Sequence, residues 1–510
     1  MEQLSGMDSA FLYLESAKTP MHIGAIAIYD PSTAPNGFVR FKEILAFMEE
    51  RLHLAKSFRR KLANVPLNLD YPYWVDDADF DIEYHVRHIA LPQPGDWRQL
   101  CIQAARLHSR MLDLKKPLWE FTVVEGLNKI PGVPKGSYAI ISKIHHAAID
   151  GVSGVDIATA LHSPSPDGAV EPPARPWVPE RTPTSVELLA RAQLNTIALP
   201  FRFGRQVAKT LPGLGRLVQG IARGTLRSGF GSVPRTRFNA SVGQHRVVGG
   251  CDFDLNAMKE MRLRIPGATV NDVVVAIVGG AMRKYLKGKS ELPSESMVAM
   301  APISVRTSGE RNTLGNQVSA MTIPIGTHIA DPIARLTFVH DEAENSKALT
   351  KAVGARELSD YSKFTPSMLT GLAARLYVGL GMANRVAPMF NTVITNIPGP
   401  PVPLYMNGAR LVTQYGLGPV FEGMGIIHPV FSYFGRITIS FTSDRDIMPD
   451  PEHYADCIQE SFDEMQAAIL GKPTGRKTGH APKKRARKKP AAKKVALATI
   501  DGAKVGDAAE

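Results

Sequence analysis

From Ser163 to Thr184 the chain reads SPSPDGAVEPPARPWVPERTPT. Each proline there lacks a backbone N–H and is locked near one φ, so neither a helix nor a central strand can run through the stretch. It must be a connector, and the 510 residues must divide around it. On both sides strands alternate with helices. Ahead of it, HIGAIAIY (His22 to Tyr29) and GSYAIISKI (Gly136 to Ile144) read as buried strands, and RFKEILAFMEERLHLA (Arg40 to Ala55) has helical periodicity. Beyond it, HRVVGGCDFDL, MVAMAPISV and GRITISFTS read as strands, TVNDVVVAIVGGAMRKYL as a buried helix, and DPEHYADCIQESFDEMQAAIL (Asp450 to Leu470) as an amphipathic helix. The expected fold class is therefore α/β. Residues 1–164 and 246–470 are expected to form two domains, with 165–245 a connector and accessory segment and 471–510 a tail.

Charge is distributed unevenly. Between Glu187 and Asp252 there is no carboxylate, while ten arginines and lysines add +10; from Gly471 onward the balance is +9. These two segments exceed the +12 of the whole chain, so the rest is acidic. Within the first, Leu214 to Arg227 places Arg216, Arg223 and Arg227 on one helical face and Leu214, Leu217, Val218 and Ile221 on the other. That layout suits either an anionic lipid surface or an apolar face packed on the protein with solvated arginines. The Lys/Ala/Pro tail cannot build a core and is expected to be disordered, serving electrostatic attachment to a polyanion or solubility alone. It has no aromatic residues to stack on bases, so no specific nucleic-acid partner is expected. Cys101, Cys251 and Cys457 show no CxxC or Cys/His spacing, which argues against disulfides and structural zinc. The start, MEQLSGMDSAFLYLES, lacks a basic n-region and an unbroken apolar run, and no stretch reaches the ~18 apolar residues of a membrane span. A cytoplasmic protein, peripheral on membrane or lipid droplet, is expected.

The chemistry concentrates in SKIHHAAIDGVSG, Ser142 to Gly154. A buried strand leads into His145 and His146, and Ser153 and Asp156 have capping-box spacing for a following helix. Histidine both accepts and returns a proton near neutral pH. Adjacent residues in extended chain point to opposite sides, so only one of the two can face a cavity. Asp150 can orient the loop or pair with a distant arginine, and Gly151 leaves room for a substrate near the backbone. A metal would need further ligands, and there is no HExxH; His22, His108 and His428 stand apart in sequence. The residues alone leave catalysis and packing open.

HHAAIDG (His145 to Gly151) fits the HHxxxDG pattern of the CoA-dependent acyltransferase and condensation-domain superfamily. More narrowly, the chain resembles the bacterial wax ester synthase/diacylglycerol acyltransferase family. The resemblance runs from about Leu4 to Leu470 through LSGMDSAFLYLE, TPMHIGAIAI, PLWEF from Pro117, Asn271-Asp272, PISVR ending at Arg306, LGNQ and TNIPGPPVPLY. It implies two similar chloramphenicol-acetyltransferase-like domains with a tunnel between them. It further implies acyl-CoA as co-substrate without a separate cofactor or metal, and either diacylglycerol or a long-chain alcohol as acceptor. By the same resemblance His146 is the general base, His145 its support, Asp150 an orienting group with Arg306 as candidate ion-pair partner, and Asn271 a candidate for oxyanion or loop support. No GxSxG is present for a serine nucleophile. The rival from another class is a non-catalytic lipid-surface protein on the same fold.

Overall fold

In this computed structural model the described residues are 1–148, 157, 159–195, 197, 233–304, 318–353 and 386–471. In chain order the strands of the first part are β1 (Glu2–Gln3), β2 (His22–Asp30), β3 (Arg60–Ala63), β4 (Tyr73–Asp76), β5 (Val86–Ala90), β6 (Trp119–Glu125) and β7 (Tyr138–His145). The later ones are β8 (Arg246–Asp254), β9 (Val298–Ser304), β10 (Val318–Pro324), β11 (Thr392–Pro398), β12 (Tyr405–Met406), β13 (Ala409–Leu417), β14 (Ile426–Tyr433) and β15 (Arg436–Asp444). They build two six-stranded sheets, ordered β12-β13-β2-β7-β6-β5 and β10-β9-β11-β14-β15-β8, and a three-stranded sheet β1-β4-β3.

The first sheet corrects the linear division of the chain. Residues 405–417, assigned by sequence to the second domain, supply its edge: β13 pairs antiparallel with β2, from Arg410 opposite Asp30 to Leu417 opposite Gly24. Such pairing between segments almost four hundred residues apart leaves no periodic trace in sequence, because strand order is decided by which edge remains open. β13 also touches the second sheet, where Thr438 Oγ1 donates to the Gln414 carbonyl at 2.8 Å and the Gly418 N–H donates to Thr442 Oγ1 at 3.3 Å. It thus serves both sheets.

The two faces of the first sheet follow its period of two. Ile26 and Ile28 of β2 and Ala139 and Ile141 of β7 face the helix Trp97–His108, packing with Leu100 and Ala104. That helix starts at a capping box in which Asp96 accepts the Gln99 N–H and Gln99 reaches back. Tyr29, Tyr138, Ile140, Ile144, Trp119 and Phe121 occupy the opposite face, with Ile44 and Met48 of the helix Phe41–Arg51.

In the second half, the helix Val270–Gly288 is apolar and buried on all sides from Val273 to Met282, as its sequence predicts, and turns polar in its last turns. Thr269 caps it and Asp272 returns the bond, so Asp272 belongs to a capping box; it also lies 3.1 Å from His340 Nδ1. Gly279 is needed where this helix meets the chain beside β10, since a Cβ there would lie 2.0 Å from the Ile325 carbonyl oxygen. The helix Pro451–Leu470 ends at Gly471, whose φ of +66° suits the left-handed C-terminal position.

The proline-dense connector has no helix or strand over its length, yet it is held down. The Arg51 guanidinium donates to the Gly168 carbonyl at 2.6 Å, Ser163 exchanges backbone bonds with Tyr405, and the Arg59 guanidinium lies 4.7 Å from the centre of the Trp177 ring. Residues 214–227 and 472–510, read above as an amphipathic helix and a tail, lie outside the described residues. Among the described residues no helix is long and apolar enough to cross a membrane.

Candidate active site

β7 runs one residue further than its sequence suggests, so His145 is still a strand residue and His146 opens a 3-10 turn over His146–Ala148. Both neighbouring strands hold the pair. The His145 N–H donates to the Leu118 carbonyl at 2.9 Å and the His146 N–H to the Met21 carbonyl at 2.8 Å, because successive amides of a strand point to opposite partners. This gives the PLW stretch a place: Leu118 anchors the first histidine, while Trp119 is buried, donates from Nε1 to the Phe58 carbonyl at 3.0 Å and stacks on His85.

The two histidines have different surroundings. His145 is fully buried and sits opposite His22 in register, on the face covered by the helix Trp97–His108. Its Nδ1 accepts the Ala147 N–H at 3.0 Å. An amide can only donate, so the His145 proton must reside on Nε2, which faces the Glu15 carboxylate at 3.5 Å. His146 is only partly buried, and its ring stacks on Phe11 at 3.8 Å between centroids and 17° between planes. Burial lowers its pKa to about 4, against an opposing contribution from its own backbone carbonyl, and His145 lowers it further. At neutral pH the ring is therefore unprotonated and able to accept.

Several residues here carried no assignment in the sequence. Ser5 caps the helix Gly6–Leu14 by accepting the Asp8 N–H at 3.1 Å, so LSGMD is a helix start, and Phe11 of that helix lies on His146. Glu15, just past the helix, is almost wholly buried against His145 and His22. Burial alone would raise its carboxyl, but its close contacts with the His145 and His22 rings outweigh this and hold it at about 2; His22 Nε2 itself accepts the Leu112 N–H at 3.3 Å. Burial depresses His22, with Glu15 opposing, and takes His108, which bonds the Gly418 carbonyl at 3.1 Å, to about 3. Lys143, two residues before His145 on the same face, pairs with Glu120 at 2.9 Å and donates to the carbonyls of Leu107 and Arg110. The only signal for this cluster was the family resemblance of LSGMDSAFLYLE and TPMHIG, which attached no role to Glu15 or His22.

The remaining expected site residues stand as follows. Asn271 is the second residue of the helix Val270–Gly288, with Oδ1 3.5 Å from Asn396 Nδ2 of the TNIPGP stretch. Asp150, Gly151 and Arg306, and with them the proposed Asp150–Arg306 ion pair and the Ser153–Asp156 cap, lie outside the described residues. A different buried ion pair lies within the second sheet, between β8 and β15, and its arginine also reaches back to the first part of the chain. Arg246 Nη1 lies 3.4 Å from Asp444, and its Nη2 donates to the Lys18 carbonyl beside the Glu15 turn.

Two six-stranded sheets joined through β13, with a histidine pair at a strand end, match the fold of solved condensation domains. The starter condensation domain of rhizomide synthetase superposes with a TM-score of 0.53 at 13% identity, over 93% of this chain and 95% of that one. The first condensation domain of the CDA synthetase gives 0.52 at 13% identity, over 92% and 96%. The architecture is thus that of two chloramphenicol-acetyltransferase-like domains.

Within that class, the wax ester synthase/diacylglycerol acyltransferase of Marinobacter aquaeolei VT8 superposes with a TM-score of 0.65 at 25% identity, over 92% of this chain and all of that one. A Mycobacterium tuberculosis relative provisionally named diacylglycerol O-acyltransferase is 32% identical over 475 residues, 93% of this chain and 92% of its own. A second from the same species, provisionally named diacylglycerol O-acyltransferase tgs2, is 31% identical over 477 residues, 92% of this chain and 100% of its own. The wax ester synthase/diacylglycerol acyltransferase catalytic-domain model matches residues 4–274, and the model of the family's C-terminal domain matches 314–466. The chain belongs to the wax ester synthase/diacylglycerol acyltransferase family, and it is an acyltransferase.

Proposed function

We propose that the protein transfers the acyl group of an acyl-CoA to the free hydroxyl of diacylglycerol, giving triacylglycerol and CoA, with His146 as general base. The observation that carries this reading is the inequivalence of the paired histidines. The Nδ1 of His145 is spent on the Ala147 amide and its Nε2 faces Glu15, whereas His146 stands past the strand end, a partly buried residue whose ring is neutral at neutral pH.

His146 takes the acceptor's hydroxyl proton as its oxygen attacks the thioester carbonyl; the tetrahedral intermediate then expels the CoA thiolate, which collects the same proton from the imidazolium. Proton and electron pairs balance without an acyl-enzyme. A ring with a low pKa is a modest base but, once charged, a strong acid towards the thiolate, so the second half-step is downhill. Asp150 would orient the loop and pair with Arg306, Gly151 would leave space for substrate, and Asn271 would support the loop or the oxyanion. The reaction would take place in an apolar tunnel between the two domains. The names of the M. tuberculosis relatives support diacylglycerol as acceptor, while the Marinobacter name spans wax ester synthesis as well.

These acceptors reside in lipid, and a peripheral position on a lipid surface is part of the proposal. In its support, the helix at 185–195 is apolar on two sides. Leu188 and Ala192 pack inward on Val65 and Tyr73, while Val186 and Leu194 point outward. With Ile197 and with Leu67 on the neighbouring loop, these outward side chains are 67–83% exposed, and the acid-free stretch follows directly.

The test is a product assay with radiolabelled palmitoyl-CoA and either dioleoylglycerol or hexadecanol. Transfer is expected with the native protein and expected to vanish in a folded His146→Ala variant, while His145→Ala retains more. Undiminished transfer in His146→Ala refutes the assignment of the base.

A further inference from the structure

Glu15 occupies a junction. Its Oε1 lies 3.3 Å from His22 Nε2 and 3.5 Å from His145 Nε2, and it accepts the Met21 N–H at 3.1 Å. The carbonyl of the same Met21 holds the His146 N–H at 2.8 Å. One buried oxygen therefore gathers the residue that anchors the His146 backbone and the ring that braces the turn carrying His146. The Ala147 amide already favours the proton on Nε2, and without an acceptor at Glu15 that buried Nε2–H would face no oxygen, leaving the amide alone to hold the tautomer. With the proton on Nδ1 instead, two donors would face each other across the 3.0 Å contact with the Ala147 amide. The turn over His146–Ala148 would then lose its internal cap.

We propose that Glu15 is a positioning residue for acyl transfer: it holds the His145 proton on Nε2, so that His145 Nδ1 fixes the Ala147 amide and thereby the turn that presents His146. The inference rests on the reading of His146 as the base. Glu15 touches no reacting atom in this scheme. It acts through His145, and its charge is secondary to its place as an acceptor.

The purified full chain tests this with two replacements of similar length. Glu15→Met removes the acceptor; Glu15→Gln keeps an acceptor oxygen in the same place. Glu15→Met is expected to lower kcat on the order of a hundredfold, the scale of a displacement of about 1 Å at a reacting centre, with KM for palmitoyl-CoA little changed. Glu15→Gln should restore most of the rate. In a His145→Ala background Glu15→Met should cost much less than in the native chain, since the two would act in series and only the Met21 N–H would lose a further acceptor.

Long-range proton–nitrogen spectra of histidine-labelled protein give a readout independent of activity. His145 should carry its proton on Nε2 in the native protein and in Glu15→Gln, and populate both tautomers in Glu15→Met. A native His145 protonated on Nδ1 overturns the proposal even if no variant folds. So does a Glu15→Met variant with unchanged kcat, or one whose loss is additive with that of His145→Ala. Should His146→Ala retain activity, the reading of the base fails, and the tautomer result still decides whether Glu15 sets the state of His145.

Discussion

The depressed pKa of His146 predicts an activity profile that differs from that of an ordinary histidine base. The perturbation is pH itself, from 8 down to about 4.5, and the quantity is kcat/KM, which reports the ionisation of the free protein. Desolvation against Phe11 and the buried His145 lowers the imidazole to about 4. At pH 5 a group titrating at about 4 is about nine-tenths unprotonated, whereas an unperturbed histidine near 6.5 is only about 3% so. Transfer from labelled palmitoyl-CoA at pH 5 should therefore stay close to its neutral plateau instead of falling roughly thirtyfold. Stability runs in the opposite sense. Because the folded-state pKa lies below the unfolded value, His146 contributes fully above about 6.5 and loses that contribution as pH falls towards 4. His22 is shifted the same way, as are His108 and His428, both to about 3, so circular dichroism must accompany each rate. An inflection of kcat/KM near 6.5 in protein that remains folded refutes the desolvation argument.

Two further outcomes are expected. Asp444→Ala strips the buried Arg246 of its carboxylate and orphans the N–H groups of Gly243, Asp446 and Ile447; a loss of about 3–5 kcal/mol in urea denaturation is expected, and a loss below about 1 kcal/mol would show that water enters to solvate the guanidinium. A Leu67→Ser/Leu194→Ser variant should float with lipid vesicles less than the native protein while keeping its fold and its rate on detergent-dispersed substrate; equal flotation removes this face from the lipid contact.

Much was legible without coordinates. The period of two in HIGAIAIY and SYAIISKI, and the unbroken apolar run of VVVAIVGGAM, specify strands and a buried helix because local burial is written in local spacing. Thr269 and Asp272 announce a helix start because capping acts over three residues. The prolines of 163–184 exclude regular structure by their own covalent geometry. The HHxxxDG motif pointed to the reaction class, and the alternation rule already required its two histidines to differ.

Tertiary structure decided what depends on chain segments meeting. β13 crosses from the second half into the first sheet because the edge of β2 is open to it, and edge pairing is set by backbone hydrogen bonds that any sequence can make. His22 stands opposite His145 only through strand register, and Glu15 reaches both only because the turn after the helix Gly6–Leu14 brings it back to the start of β2. Which histidine is braced and which is left able to accept a proton is a matter of burial and of one amide hydrogen bond, quantities that exist only once the chain is folded.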